Sequence, residues 1–335
     1  MQKFKVLIKP VIFLLIFAFM LVPLSFVFQP KNNSPKAGVR ESRARAILGE
    51  KPDTIDFIML GDSESYASYS PMEVYEDYGY TSFVMGGTAQ KIYYIYEYLV
   101  EALETQHPKY VILETNTFFR KLNDNKKILA VIERYVPYIE YHNRWKSLKP
   151  ADFYTKVEYT TTSPFKGYVY KDIIKKPKDN LDNYMETNDF SDNIPLEELY
   201  YIRKIIALCE KNDIEVMFFK APQASTWNYK RHQAIVKLAK ELDVEFIDTN
   251  LAAEVGINWN TDTRDGGDHV NYNGAKKVSK YLGKIMHEKG TLEDRRNDPK
   301  YEQWNKDYIE YRKIIENKNI IDYWSIIFFI TKAMA

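Results

Sequence analysis

Short apolar runs alternate with segments of helical period along most of this 335-residue chain, and that alternation limits the fold more than any other feature. Residues 55–60, 81–85, 110–113, 215–219 and 245–248 read as strands. Between and after them, residues 71–78, 90–105, 196–210, 228–242 and 274–287 repeat apolar positions at helical spacing. Ser70 is placed to cap the first of these helices, with Pro71 at its first position. Strands alternating with helices build a parallel sheet covered on both faces, so the fold class is α/β.

The alternation breaks between residues 121 and 194, a stretch rich in tyrosine, lysine and proline. A structureless loop of that length is unusual inside a compact domain, so an inserted lid or subdomain is expected there. No internal repeat is visible. A charged extension, residues 291–335, ends in the apolar stretch 323–330, too short to cross a bilayer and suited to packing on the core, the membrane surface or a partner.

Residues 10–28 carry no charge. About 20 helical residues at about 1.5 Å each cross a hydrocarbon layer about 30 Å thick. Lys3, Lys5 and Lys9 precede the run, which places the amino terminus in the cytoplasm, although Lys31, Lys36 and Arg40 follow it. A small-x-small cleavage pattern is missing around Phe26-Val27-Phe28-Gln29, so an uncleaved anchor is read rather than a signal peptide. Residues 1–29 are thus stub and single-pass membrane anchor, residues 30–50 a polar tether, and residues 51–290 the main domain, outside the cell.

Lysine plus arginine (47) nearly balances aspartate plus glutamate (46), without a long block of one sign, which argues against nucleic acid as the main partner. The single cysteine, Cys209, excludes an intramolecular disulfide and a thiolate cluster, and lies in a helical stretch as a buried apolar residue. Five scattered histidines do not point to a metal site. The 27 tyrosines offer flat apolar faces with a hydroxyl, suited to sugar or polymer contact, or reflect compositional drift.

Gly61-Asp62-Ser63 directly follows the first strand, and ligands of open α/β sheets bind at the carboxyl ends of strands. A serine hydroxyl becomes a nucleophile when a base takes its proton, and the base needs a third group to fix its tautomer. His269 is the candidate base, with Asp265 and Asp268 close by in sequence. The pair Gly266-Gly267 would let Asp265 loop back, whereas adjacent residues such as Asp268 and His269 seldom face each other, so Asp265 is favoured and Asp268 is the alternative. His107, His232 and His287 read as surface or structural residues. Donors for an oxyanion would come from Gly86 after the second strand, from the Asn116 amide after the third, and from the Ser63 backbone.

Gly61-Asp62-Ser63, the glycine after strand two, the asparagine after strand three and the late Asp-His loop together resemble the four blocks of the SGNH (GDSL-type) hydrolase superfamily over residues 51–289. The resemblance implies a flavodoxin-like three-layer α/β/α parallel sheet, Ser63 as nucleophile, Gly86 and Asn116 at the oxyanion, and His269 as base. Two departures stand out: Gly266 occupies the position three before the histidine where an aspartate is usual, and the third block reads Glu114-Thr115-Asn116-Thr117. Within the superfamily the chain is similar to membrane-anchored extracellular proteins of Gram-positive bacteria, those of D-alanyl-lipoteichoic acid biosynthesis and partners of membrane-bound O-acyltransferases. That likeness implies a cleft lined by His142, Arg144 and Trp145 and a cell-envelope glycopolymer as substrate. The expectation is a serine acyltransferase without cofactor or metal. A cell-surface carbohydrate esterase and a non-catalytic scaffold of an envelope-synthesis complex are the alternatives.

Overall fold

The computed structural model describes residues 2–121, 124–181 and 183–317, so the apolar stretch 323–330 lies outside the described residues. A first helix, α1 (Gln2–Phe28), precedes β1 (Phe57–Gly61), α2 (Ser63–Ser68), α3 (Pro71–Tyr78), β2 (Ser82–Gly86), α4 (Ile92–Ala102) and β3 (Tyr110–Glu114). After these come α5 (Asp124–Tyr135), α6 (Pro137–Tyr141), α7 (Leu196–Lys211), β4 (Glu215–Lys220), α8 (Tyr229–Leu242), β5 (Glu245–Asp248), α9 (Tyr272–Glu288) and α10 (Glu302–Glu316). All five strands pair in parallel, in the order β2-β1-β3-β4-β5. The chain leaves β1 toward one edge and returns to the other side with β3. A crevice therefore opens beyond the carboxyl ends of these two strands.

The strand interiors are mostly apolar because both faces of the sheet are covered. Ile58, Leu60, Phe83, Met85, Val111, Leu113 and Phe218 join the core with α4 and α7, where Cys209 is fully buried. Their neighbours in sequence, Phe57, Met59, Val84, Ile112, Met217 and Phe219, join a second core with Val278, Leu282 and Met286 of α9. The two-residue period of a strand divides the side chains between these layers. Each large apolar side chain removed from water this way contributes about 1.5–3 kcal/mol.

One expectation about a segment needs correction. Residues 30–50, read as a tether, are folded onto the domain. Lys31 and Asn33 are buried, and the Asn33 amide both donates to and accepts from the Thr161 main chain at 2.8 Å. Arg45 reaches Glu101 at 2.8 Å and Glu140 at 2.6 Å. Polar composition suggested a solvated linker, but its polar groups find partners in distant segments that sequence spacing cannot reveal.

The insertion, expected as a lid or subdomain, is built in two parts. Its first part holds α5 and α6. Its second part runs as an irregular strap whose backbone groups are satisfied by the body: Val84 N–H donates to Lys166 O at 2.9 Å, and Val169 N–H to Tyr66 O at 2.8 Å. Farther on, Lys175 N–H donates to Thr263 O and Gly266 N–H donates back to Lys175 O, both at 3.0 Å, bracing the loop that carries His269.

Lys166 anchors this strap. Its ammonium is fully buried, 2.8 Å from Glu50 and 2.5 Å from Asp307, and stands over the Trp304 ring at 4.3 Å. The cluster ties the segment after α1, the strap and α10 together. Removing the cation leaves two buried carboxylates facing each other. Lys166→Ala is expected to destabilise the protein by roughly 3–5 kcal/mol. Chemical denaturation of wild type and variant checks this, and a loss below about 1 kcal/mol would show that the cluster is not holding the strap.

Candidate active site

Ser63 is the first residue of α2, at the crevice between β1 and β3. The preceding Asp62 caps that helix: its Oδ1 accepts from Glu64 N–H at 3.0 Å. Its Oδ2 accepts from Asn116 Nδ2 at 2.9 Å and from Arg120 Nε at 2.5 Å. The cap therefore does more than start a helix. It ties the turn after β1 to the turn after β3. Asn116 is also held from below, because its own N–H donates to Glu114 Oε2 at 3.0 Å.

His269 sits in a loop closed by the antiparallel bridge between Thr263 and Val270. Gly266 and Gly267 turn this loop with φ of +89° and +101°, in the left-handed region where a side chain would be strained. The turn brings Asp265 back over His269, whose N–H and Nδ1 both meet the Asp265 carboxylate at 2.7 Å. Burial alone would raise the Asp265 carboxyl, but the two hydrogen bonds from His269 outweigh it and hold it below its ordinary value. Asp268 is engaged elsewhere: its Oδ1 accepts from Gln223 Nε2 at 3.1 Å and from the Ser225 hydroxyl, while its Oδ2 lies 3.3 Å from His269 Nδ1. Asp265 is thus the direct partner of the imidazole. His269 Nε2 is buried without a hydrogen-bond partner and lies 3.4 Å from Glu64 Oε1.

A cavity of about 410 Å³ is lined by Ser63, Glu64, Asn116, Arg120, Gln223 and Asp268, with Lys91 and Arg231 also on its wall. Gly86 lies at the end of β2, in register with Gly61. A Cβ there would come within 2.5 Å of Ser65 Oγ and 2.8 Å of Asp62 O, so close approach of backbone to the serine turn requires glycine.

His142, Arg144 and Trp145 do not line this cavity. Arg144 donates to Phe28 O and pairs with Asp152 at 3.2 Å, so this group sits against the carboxyl end of α1. Its place was not visible in sequence because α1 and the insertion meet only in the folded chain. Of the other histidines, His232 bonds Asp248 at 2.8 Å, His287 bonds Tyr80 Oη at 2.8 Å, and His107 meets Asp53 at the surface at 2.6 Å.

Sequence reasoning missed the buried polar floor. Glu114 and Lys220, at the carboxyl ends of β3 and β4, are fully buried and pair at 2.8 Å. Glu64 is buried beside them and accepts from Gln223 Nε2 at 2.9 Å. Burial drives the Glu64 carboxyl well above its ordinary value, with Lys220 opposing and Asp62 and Glu114 adding to the rise. A lysine ending an otherwise apolar strand was the one signal for this floor. Glu64, Asp268 and His269 bring donor atoms within 4.8 Å of one another and are the described residues here that could share a cation.

No protein-family model matches the chain, nor does any curated protein. Among solved structures it is similar to a protein assigned as an acylhydrolase from Bacteroides fragilis NCTC 9343, at 12% identity and TM-score 0.40, covering 75% of this chain and 97% of that one. It is also similar to a GDSL-like lipase from Bacteroides thetaiotaomicron VPI-5482, at 13% identity and TM-score 0.36, covering 70% and 88%. A third likeness is to the acetyl xylan esterase AlAXEase, at 15% identity and TM-score 0.36, covering 70% and 100%. At TM-scores of this size the likenesses carry no argument about this chain.

Two expectations arise from this geometry. Because the imidazole bonds Asp265 directly, Asp265→Asn should lower any His269-dependent activity by at least tenfold more than Asp268→Asn does. Turnover of a chromogenic ester by both variants checks this, and a larger loss in Asp268→Asn would reverse the assignment.

The second concerns pH. Burial pushes the Glu114 carboxyl up to about 7 from its ordinary 4.5, against the pull of Lys220. A carboxyl raised on folding contributes stability below its ordinary value and loses it as pH rises through the folded one. Glu114→Gln should therefore flatten the fall of Tm between about pH 4.5 and 7 while lowering Tm overall, since Lys220 loses its partner. An unchanged slope would show that Glu114 does not titrate there.

Proposed function

We propose that this chain is an SGNH-type serine acyltransferase or esterase, held on the membrane by α1 and acting on O-acyl groups of a cell-envelope polymer. What supports this reading is a strand-end serine at the sheet's switch point, followed by Glu64, which lies 3.4 Å from the Nε2 of a histidine bonded to a carboxylate. Ser63 Oγ would attack an acyl carbonyl while His269 Nε2 takes its proton. Asp265, bonded to Nδ1, would keep the proton on that nitrogen and steady the imidazolium that forms. Donors for the oxyanion would be the Ser63 and Gly86 N–H groups and the Asn116 amide. The adduct collapses to acyl-Ser63 as the donor's alcohol leaves with the proton from His269 Nε2; a polymer hydroxyl, or water in hydrolysis, then gives its proton to Nε2, takes the acyl group and restores the Ser63 hydroxyl. His269 Nε2 and Ser63 Oγ share no hydrogen bond in this state, and such contacts commonly close only around substrate.

The acceptor would be a cell-envelope glycopolymer, teichoic acid or polysaccharide, entering a cavity whose wall carries Lys91, Arg120 and Arg231 beside Glu64 and Asp268. The helical stretch Lys9–Phe28, uncharged after Lys9, is long and apolar enough to cross a membrane, which supports an anchor. A membrane-bound O-acyltransferase would be the partner delivering the acyl group, with the domain outside the cell.

Labelling with a serine-reactive fluorophosphonate tests the reading. Wild type should label, and Ser63→Ala should not, with its fold intact because one hydroxyl at the cavity contributes little stability. Ser63→Ala and His269→Ala should each cost at least roughly 10³-fold in ester turnover, and the double variant no more than either, since both serve one step. An unlabelled wild type would overturn the reading in favour of a non-catalytic scaffold, and undiminished labelling of Ser63→Ala would move the nucleophile to another serine.

A further inference from the structure

Helix α5 is amphipathic the wrong way round for a domain in water. Its polar residues face the body: Glu133 pairs with Arg40 at 3.0 Å, and Arg134 with Glu97 at 3.2 Å. Its apolar residues face outward at i, i+3, i+4 and i+7, with Ile128 67%, Val131 44%, Ile132 41% and Tyr135 73% exposed. A surface helix of a soluble domain buries that stripe instead.

The position of α5 says what medium the stripe meets. The next helix, α6, is bound to the end of α1. Tyr138 N–H donates to Ser25 Oγ at 3.2 Å, and the Phe28 and Tyr138 rings meet edge-on at 5.0 Å. The guanidinium of Arg144 clamps the Phe28 carbonyl. Tyr135 therefore ends α5 at the level where α1 leaves its apolar stretch. Exposed aromatics cluster on the neighbouring turns that pack on α1: Trp145, Phe153 and Tyr154, beside exposed Lys146 and Lys149. Tryptophan and tyrosine with flanking lysine favour the headgroup boundary of a bilayer.

We propose that α5, with the turns carrying Trp145, Phe153 and Tyr154, forms a platform lying in the headgroup–acyl boundary of the bilayer that α1 crosses. This rests on reading α1 as a membrane span. The platform fixes the height and tilt of the domain, which a single helix on a flexible linker would not. A second groove, of about 530 Å³, is lined by Leu129 of α5 and by Lys91, and Lys91 also lines the Ser63 cavity. The site thus opens toward the helix that lies on the lipid, the direction from which a membrane-borne acyl donor would come.

The test uses the full-length chain in liposomes of phosphatidylcholine and phosphatidylglycerol. Buried Cys209 is replaced (Cys209→Ala), and an environment-sensitive NBD label is attached at Ile128→Cys or Tyr135→Cys. Ala18→Cys within α1 and Lys306→Cys on exposed α10 are the reference sites. Labels at 128 and 135 should show blue-shifted emission and several-fold stronger quenching by shallow spin-labelled lipids than the label at 306. Labels at 128 and 135 that behave like 306 would overturn the platform while quenching at 18 keeps the span. Labels shielded from aqueous iodide yet untouched by lipid quenchers would mean that a protein covers the stripe, overturning the lipid assignment. Loss of quenching at 18 as well would remove the span, and the platform with it.

Discussion

A buried ion pair at the carboxyl ends of two strands supports the whole candidate site. Lys220 and Glu114 meet at 2.8 Å with no exposure to water. Glu114 then accepts from Asn116 N–H, Asn116 donates to Asp62, and Asp62 caps the helix that begins with Ser63. Each link holds the next, so the position of the serine is set by a charge two strands away. Buried pairs of this kind contribute little net stability, because desolvation offsets attraction. What this one supplies is geometry: a rigid polar floor under a cavity whose walls must accommodate a changing charge.

A second constraint acts from the opposite side. The strap 163–181 lies along the open edge of β2 and then braces the His269 loop. Lys166 ties the start of that strap to Glu50 and Asp307. Ser63 and His269 therefore belong to differently anchored parts of the chain. Ser63 is fixed by the sheet, whereas His269 is fixed by the glycine-turned loop and the strap. His269 Nε2, 3.4 Å from Glu64 Oε1, lies where those two parts meet.

Much of the fold was legible in sequence because strands buried on both faces are mostly apolar, as in Phe57–Gly61 and residues 110–113, and such runs separate cleanly from helical periods. The strand-end place of Ser63 was legible because a glycine and an apolar run mark it. The contact of Asp265 with His269 was legible by a physical argument, since flexible residues at 266 and 267 let an acid four positions back reach the ring. Glu64, Gln223 and Lys220 were not. Their burial depends on partners from other strands, and a charged residue in sequence looks solvated until its partner is known.

The amino-acid sequence by itself determined the parallel α/β class, the apolar amino-terminal helix and the residue types available for acyl chemistry, because these follow from local periodicity, turn chemistry and hydrophobicity. Tertiary structure decided the rest. It packed residues 30–50, read as a tether, onto the domain and laid the second part of the insertion along β2 as a strap. It also moved His142, Arg144 and Trp145 from the cleft to the foot of α1. In each case the deciding contacts join residues far apart in the chain, such as Asn33 with Thr161 or Arg144 with Phe28. Their energy depends on where the sheet and its crossings bring them, which no local pattern encodes.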